Sequence, residues 1–326
     1  MAITVIEKKL LIKLKEKAIN SECRIFESDF ENFGAGQPKS YYVGDSHINN
    51  LFLNEKEFEK YKPFFEEGNG QELKKIYKGI KRDYCKMQSL RSSSAMIVNI
   101  LGRRGNTELL RINKNDFGIP EGEYDVSFER QLRTLNISNS RKYPAHVDGF
   151  LLSKDLSTVI LIESKMFEYL DGEKNILSQS YLNSNNYYSK GVEFIDCFET
   201  CSELFEKLDY QQLIKHILGF YNAVVHTKEC FEIYPLNRED LSKIKNVYLL
   251  NVVWRMTNTT SDLYHTYKPY WEKEVPSEEE ISKMQSLFSS ITKDIFKFVK
   301  VQFMPFDEFI SIIDDSRMHY LNRYFI

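Results

Sequence analysis

The stretch that decides the fold comprises residues 146–166 and reads HVDGFLLSKDLSTVILIESKM. Its second half contains Val159-Ile160-Leu161-Ile162, four consecutive aliphatic residues of the kind found in a strand that is buried on both faces. The first half is also largely apolar, and the mainly polar residues 154–157 lie between the two halves. The stretch therefore predicts a β-hairpin with a four-residue turn.

Three charged residues lie within or directly after the apolar runs of the two strands, namely Asp148, Glu163 and Lys165. The second strand ends in Glu163-Ser164-Lys165, and strand alternation places Glu163 and Lys165 on the same face. Asp148, in the first strand, shares that face if the numbers of opposed residues sum to 311. A shift of the register by one residue would move Asp148 to the other face.

Two carboxylates and an ammonium group that share one face of a hairpin are suited to metal-dependent hydrolysis. Two carboxylates at the end of a buried strand offer the hard oxygen ligands that suit Mg²⁺, for which Mn²⁺ can substitute. A bound metal would activate water, and Lys165 would assist its attack and stabilise the charge that develops on a phosphate. We therefore expect phosphodiester hydrolysis, with Asp148 and Glu163 as metal ligands. The alternative is an exposed hairpin with a surface Glu/Lys pair.

Asp148 and Glu163-Ser164-Lys165, with the strands that carry them, resemble the PD-(D/E)xK nuclease superfamily, although Val147 stands where the family pattern has proline. The resemblance covers about residues 90–256. It implies an α/β fold with a restriction-endonuclease-like core in the order α-β-β-β-α-β, a central mixed sheet and flanking helices. We expect this core in residues 91–256, a helical extension in 1–90 and an α/β extension packed on the core in 257–326.

The resemblance also directs attention to two further side chains. The helix expected at residues 92–101 has no acidic residue, so Glu129 in the next element is the candidate third carboxylate and metal ligand. The segment around Glu129 alternates as a strand would, while a helix over residues 128–135 is the competing interpretation. Gln212 precedes His216 by one helical turn, where recombination-type members have Gln and Tyr. Gln212 is the candidate to orient water or phosphate, and an exposed polar helix face is the alternative.

Periodicity predicts several other elements. Residues 6–20, 209–225 and 278–298 are expected to be helical, and 245–256 and 299–306 to be strands. Residues 70–91 repeat apolar side chains at helical spacing with lysines opposite, which predicts an amphipathic helix whose basic face either follows phosphates or is simply solvated. Residues 167–208 are polar and are expected to form a flexible excursion over the cleft.

Composition limits the functional classes. The chain has 326 residues, a formal net charge of −3 and five scattered cysteines, and no apolar run approaches the length of about 20 residues that spans a membrane. A cytoplasmic protein without a membrane role is expected. DNA is the expected partner and restriction or defence the expected role, because the resembled fold mostly serves these. Paired cuts in duplex DNA would favour a homodimer. The alternatives are a silent nuclease fold that binds nucleic acid or a protein, and a protein-binding scaffold.

Overall fold

The computed structural model describes residues 5–20, 43, 46–67, 72–74, 76–77, 80–81, 85–105, 108–137, 144–171, 177–188, 190–204, 210–226, 238–313 and 318–326. The helices in these ranges are α1 (Val5–Asn20), α2 (Glu55–Phe58), α3 (Lys62–Glu67), α4 (Ser93–Leu101), α5 (Gly191–Leu204), α6 (Tyr210–Val225), α7 (Arg238–Lys243), α8 (Asp262–Glu274), α9 (Glu278–Thr292), α10 (Phe306–Ser311) and α11 (Met318–Leu321). The strands are β1 (Ile76–Tyr77), β2 (Ile80–Lys81), β3 (Leu110–Ile112), β4 (Gly122–Arg133), β5 (Pro144–Ser153), β6 (Thr158–Lys165), β7 (Asn246–Val253) and β8 (Phe298–Pro305).

Strands β3 to β8 form one mixed sheet of six strands in sequential order. Strands β3 to β6 are antiparallel neighbours, whereas β6, β7 and β8 are parallel. Parallel neighbours need long crossover connections, and α5 to α7 precede β7 while α8 and α9 precede β8. The α/β class and a mixed sheet flanked by helices are thus confirmed.

The expected order α-β-β-β-α-β is contained in this topology as α4, β4, β5, β6, the helices up to α6, and β7. Strands β3 and β8 extend the sheet at its two edges. The last strand lies in the predicted C-terminal extension, so this extension completes the same sheet. The boundaries proposed at residues 90 and 256 stay predictions.

Both faces of the sheet are covered, which explains the uninterrupted apolar run in β6. Ile160 and Ile162 belong to a core with α1, α4 and the C-terminal helices, and Leu161 belongs to a second core with α5, α6 and α9. Seven of the eight residues of β6 are buried. Only a strand between two apolar layers can bury consecutive side chains in this way.

The register of the central hairpin is the one predicted. Gly149 lies opposite Ile162, Phe150 opposite Leu161 and Leu152 opposite Val159, so the paired numbers sum to 311. Residues 154–157 form the turn between β5 and β6. The register is fixed because each alternate set of side chains enters a different core.

The prediction of a helix over residues 70–91 is wrong. In the described part, β1 and β2 form a small antiparallel hairpin with Tyr77 opposite Ile80, and Lys86–Gln88 is a 3₁₀ turn. Ile and Tyr are residue types that favour strands, in agreement with this pairing. The continuous basic helix face that was the basis for a phosphate-tracking surface is therefore absent from the described residues.

The expectation of a flexible excursion at residues 167–208 is wrong for its second half, where α5 runs from Gly191 to Leu204. The helix is ordered by an apolar stripe of Phe194, Cys197, Phe198 and Cys201, each at most 1% exposed. These residues recur at three- and four-residue steps, which is the pattern of a packed helix face. The two cysteines pack in this face as free thiols.

Most other elements agree with the sequence pattern. Helix α1 covers the first predicted helix, and α6 covers residues 210–225 of the predicted 209–225. Strand β7 covers residues 246–253 of the predicted 245–256, and β8 lies one residue before the predicted 299–306. The third predicted helix is shorter than expected, since α9 ends at Thr292. No helix within the described ranges combines the length and apolar character needed to cross a membrane.

Candidate active site

Asp148, Glu163 and Lys165 meet where the central hairpin opens. The ladder between β5 and β6 ends with the pair Gly149 and Ile162, and Asp148 and Glu163 occupy the next positions. Lys165 Nζ donates a hydrogen bond of 2.6 Å to Glu163 Oε1. The Glu163 side chain is only 5% exposed and that of Lys165 21%. The charged pair is therefore largely withdrawn from water, unlike a surface Glu/Lys pair.

The Asp148 carboxylate is fixed by the residue between Glu163 and Lys165. Its Oδ2 accepts a 2.7 Å hydrogen bond from the backbone N–H of Ser164, and the Ser164 hydroxyl lies 3.0 Å away. The hydroxyl is also 3.2 Å from the carbonyl oxygen of Ser93 in α4. Strand alternation points the Ser164 side chain away from Glu163, and sequence reasoning did not identify it as part of the site.

The carboxylates of the site repel one another. Desolvation raises the pKa of the Asp148 carboxyl well above its usual range, and the negative charges of Glu163 and Glu129 raise it further. The positive charge of Lys165 and the Ser164 N–H oppose this shift. An additional positive charge near Asp148 would therefore relieve an unfavourable interaction.

Glu129 lies in β4, so the strand interpretation of its segment is confirmed and the helix interpretation is excluded. The pairs Phe128–Gly149 and Arg130–Val147 place Glu129 opposite Asp148. Glu129 Oε1 accepts a hydrogen bond of 3.3 Å from the Ser94 hydroxyl. The side chain is 7% exposed, so a plain surface glutamate is also excluded.

The backbone of Glu129 adopts a left-handed conformation with φ of 46°. Phe128 packs in the core with α4, whereas Leu132 packs in the core with α6, so the strand changes its facing pattern across Glu129. A left-handed non-glycine residue within a strand is uncommon and costs energy. No residue type in this segment signals it, since glycine or asparagine would be the usual markers.

Helix α6 brings Gln212 and His216 to the site. Gln212 lines the cavity described below, and His216 is fully buried. His216 Nε2 donates to the carbonyl oxygen of His146 at 3.0 Å and lies 3.4 Å from Glu163 Oε2. An exposed polar helix face is therefore excluded for His216, which packs behind Glu163.

All five predicted residues line one cavity of about 320 Å³. Sequence reasoning missed the others, which are Glu72, Lys86, Ser93, His146, Ser164 and Glu168. Glu168 follows β6 and accepts a 2.6 Å hydrogen bond from the Met166 N–H. Its position soon after Glu163-Ser164-Lys165 is a signal that could have found it. Glu72 lies far away in the sequence and offered no such signal.

Glu72 and Lys86 form an ion pair in this cavity with 3.5 Å between Nζ and Oε1. Desolvation raises the pKa of Glu72, and Glu129 adds to the effect while Lys86 opposes it. For Lys86, desolvation alone would lower the pKa, but Glu72 and then Glu168, Glu129 and Asp148 outweigh it and raise the pKa. Lys86 is therefore firmly cationic among the acids.

The donor chemistry of the cavity fits a divalent cation. The carboxylates of Glu72, Glu129, Asp148, Glu163 and Glu168 all line it, and carboxylate oxygens are the ligands that Mg²⁺ prefers. Among the residues that the structure describes, no three acidic, histidine or cysteine side chains are drawn together as a metal site. The oxygens are instead held by Lys165, Ser164 and Ser94, so metal binding requires small side-chain movements.

Comparisons with known proteins add one finding to this geometry. Neither a curated protein nor a solved structure matches the chain. A family model described as restriction endonuclease associating with ARP matches residues 26–292, which includes α4, the central hairpin, α6 and β7. The matched region covers most of the chain and every residue of the cavity. The chain therefore belongs to the family of restriction endonucleases associating with ARP.

Proposed function

We propose that the protein is a metal-dependent endonuclease that cleaves DNA in restriction or defence, with a site of the PD-(D/E)xK type. One observation carries the proposal. Asp148 and Glu163 come from adjacent antiparallel strands and line the same cavity as Lys165, which is bonded to Glu163. The family name, restriction endonuclease, supports a nuclease of this kind.

In this proposal Asp148 and Glu163 hold Mg²⁺, with Glu129 as the third ligand and Mn²⁺ as a substitute. When bound, the ion polarises a phosphoryl oxygen and lowers the pKa of its water. The raised pKa of Asp148 supports the assignment, because a bound cation would offset both of its causes, which are first the desolvation of the carboxylate and then the repulsion from Glu163 and Glu129. Glu163 Oε2 is buried and lies 3.4 Å from His216 Nε2 without accepting a hydrogen bond, so a bound ion would supply the partner that this oxygen lacks.

The other side chains serve the phosphate and the attacking water. Lys165 carries a fixed positive charge at the end of β6, where it stabilises charge building on the phosphoryl oxygens. Gln212 orients the water or a phosphate oxygen by hydrogen bonding. Hydrolysis forms one bond from the water oxygen to phosphorus, breaks the bond to the leaving oxygen and delivers a proton to that oxygen. Duplex cleavage in both strands would pair two copies of the chain.

The first test is cleavage of plasmid and single-stranded DNA with Mg²⁺, Mn²⁺ or EDTA. Lys165→Ala is compared with Lys154→Ala, which removes a lysine from the exposed end of the same hairpin, where it pairs with Glu123 at 3.1 Å. We expect metal-dependent cutting by wild type and Lys154→Ala, and none by Lys165→Ala. Equal cutting by both variants would contradict the assigned role of Lys165.

A second measurement separates a silent fold from an active one. Mg²⁺ should raise the thermal stability of wild type, by about 2.7 kcal/mol at a hundredfold excess over Kd, and should have little effect on Asp148→Asn. DNA binding without cleavage under any metal would replace the proposal with a silent nucleic-acid-binding fold. Absence of both metal and DNA binding would exclude any nuclease role.

A further inference from the structure

Lys86 enters the cavity from a segment that precedes the expected nuclease core. It begins the 3₁₀ turn Lys86–Gln88, and its neighbours Cys85 and Met87 are 2% and 0% exposed. The Met87 N–H donates to the carbonyl oxygen of Glu72 at 3.0 Å, and Asn50 donates to the Met87 carbonyl oxygen at 2.9 Å. The backbone is therefore anchored through both polar groups of Met87, the residue after Lys86, while the Lys86 side chain remains 46% exposed.

The cavity has an excess of negative charge that would repel a nucleic acid. Five carboxylates line it, against the two ammonium groups of Lys86 and Lys165. Lys165 is held to Glu163 at 2.6 Å, in a buried pair. Lys86 lies 3.5 Å from Glu72, longer than the distance of about 2.7–2.9 Å that is usual for a charge-assisted hydrogen bond. Lys86 is thus the more exposed and more loosely held of the two cations.

The position of Lys86 also places it close to the reacting groups. The charges of Glu168, Glu129 and Asp148 act on its ammonium in addition to that of Glu72. A phosphate that reached Lys86 would therefore lie within the same site as the proposed metal ligands. Loss of this cation would leave Glu72 unneutralised and facing the incoming phosphate.

We propose that Lys86 binds a backbone phosphate of the nucleic-acid substrate in this cavity, and that Glu72 holds the ammonium in place in the free protein. The inference rests on the proposed function for the identity of the substrate. It assigns a phosphate-binding role to a residue outside the α-β-β-β-α-β core. Substrate binding then depends on the segment around Glu72 and Lys86 as well as on the central hairpin.

A purely structural ion pair makes a different prediction from a phosphate contact. If the pair only stabilises the fold, Lys86→Ala and Glu72→Gln should have similar effects, because either change breaks it. If Lys86 binds phosphate, Lys86→Ala should weaken DNA binding, whereas Glu72→Gln should preserve or strengthen it by removing a negative charge and releasing the ammonium. A phosphate contact therefore predicts a loss of affinity in Lys86→Ala and no loss in Glu72→Gln.

The experiment measures binding of a duplex oligonucleotide to the full chain in EDTA, over a series of salt concentrations. Lys86→Ala should lower affinity by about tenfold at low salt and reduce the slope of log affinity against log salt by about one. Lys86→Arg should restore both values in large part. Lys154→Ala, the exposed control, should leave both unchanged, and thermal unfolding checks that each variant is folded.

Cleavage kinetics in Mg²⁺ then separate this inference from the proposed function. Lys86→Ala should raise KM more than it lowers kcat, because it removes a binding contact. Opposite binding effects of Lys86→Ala and Glu72→Gln without any cleavage by wild type would support the inference and contradict the nuclease. Cleavage by wild type with unaltered binding and salt slope in Lys86→Ala would contradict the inference alone, as would equal losses in Lys86→Ala and Glu72→Gln.

Discussion

The two ends of the β5–β6 hairpin carry the same pair of residue types in opposite surroundings. At one end Lys165 contacts Glu163 at 2.6 Å, and their side chains are 21% and 5% exposed. At the turn Lys154 contacts Glu123 of β4 at 3.1 Å, and their side chains are 71% and 37% exposed. Charges in water are screened and contribute little, whereas charges withdrawn from water interact strongly. Burial, and not residue type, distinguishes the pair in the proposed active site from the pair at the turn.

The aspartates at the two ends, Asp148 and Asp155, differ in the direction in which their surroundings shift the pKa. The pKa of Asp148 is raised by desolvation and by neighbouring carboxylates. The pKa of Asp155 in the turn is lowered by hydrogen bonds from Ser153 and from the backbone and hydroxyl of Ser157. At one end of the hairpin, Lys165 and the Ser164 N–H only partly offset the desolvation and repulsion of the Asp148 carboxylate, whereas at the other end local donors stabilise the Asp155 carboxylate. This difference supports the proposal that a cation binds at the Asp148 end of the hairpin.

The largest expected effect is the loss of DNA cleavage in Glu163→Gln, with Glu123→Gln as the matched control. Glu163→Gln should reduce DNA cleavage by at least about a hundredfold, because it removes the proposed metal ligand and the partner of Lys165. Glu123→Gln removes the corresponding carboxylate at the exposed end and should leave the rate unchanged. Initial rates of plasmid nicking in Mg²⁺ measure both. A comparable loss in Glu123→Gln would show that the difference between the two ends has no functional meaning.

The sequence allowed the hairpin end to be predicted because two independent constraints agree there. Alternation in β5 and β6 sorts side chains between two cores, and a single register places Asp148 beside Glu163. The turn of residues 154–157 is the length this register requires. The local sequence pattern and the tertiary packing require the same register, and a single sequence allows correct inference where the two agree.

The other residues of the cavity could not be predicted, because local sequence patterns do not show which distant segments pack together. Glu72 and Lys86 reach it through the packing of the N-terminal segment, which periodicity misread as a helix. The left-handed backbone at Glu129 has no glycine to mark it. Apolar residues spaced by one, three and four positions fit a helix and a short hairpin equally well, so only tertiary contacts decide between them. The contributions of Glu72 and Lys86, which no motif or regular pattern marks, are therefore the part of this cavity that the single sequence did not reveal.

A smaller effect is expected on protein stability from Gly219→Ala, which tests how closely α6 packs against β4. A Cβ atom at Gly219 would lie 2.7 Å from the Cβ and 3.0 Å from the carbonyl oxygen of Leu132 in β4. Helix propensity alone predicts that Gly219→Ala stabilises the protein by about 1 kcal/mol. We expect the opposite sign, a loss of about 1–3 kcal/mol, because the helix must move away from the sheet. Urea unfolding gives the sign directly, and a gain would mean that α6 packs less closely than described.

The smallest expected effect compares Asp148→Asn with Asp155→Asn during a pH series in EDTA. Because the folded pKa of Asp148 is raised, its stabilising contribution is present at low pH and is lost as the pH rises through that pKa. Asp148→Asn should therefore be more stable than wild type at neutral pH, with the gain disappearing on acidification. The folded pKa of Asp155 is lowered, so its contribution is present above the ordinary value of 3.8 and is lost as the pH falls. Asp155→Asn should therefore be less stable than wild type at neutral pH. The midpoints of urea unfolding measure both variants. A shift of the midpoint in the same direction for both would contradict the electrostatic difference between the two ends of the hairpin.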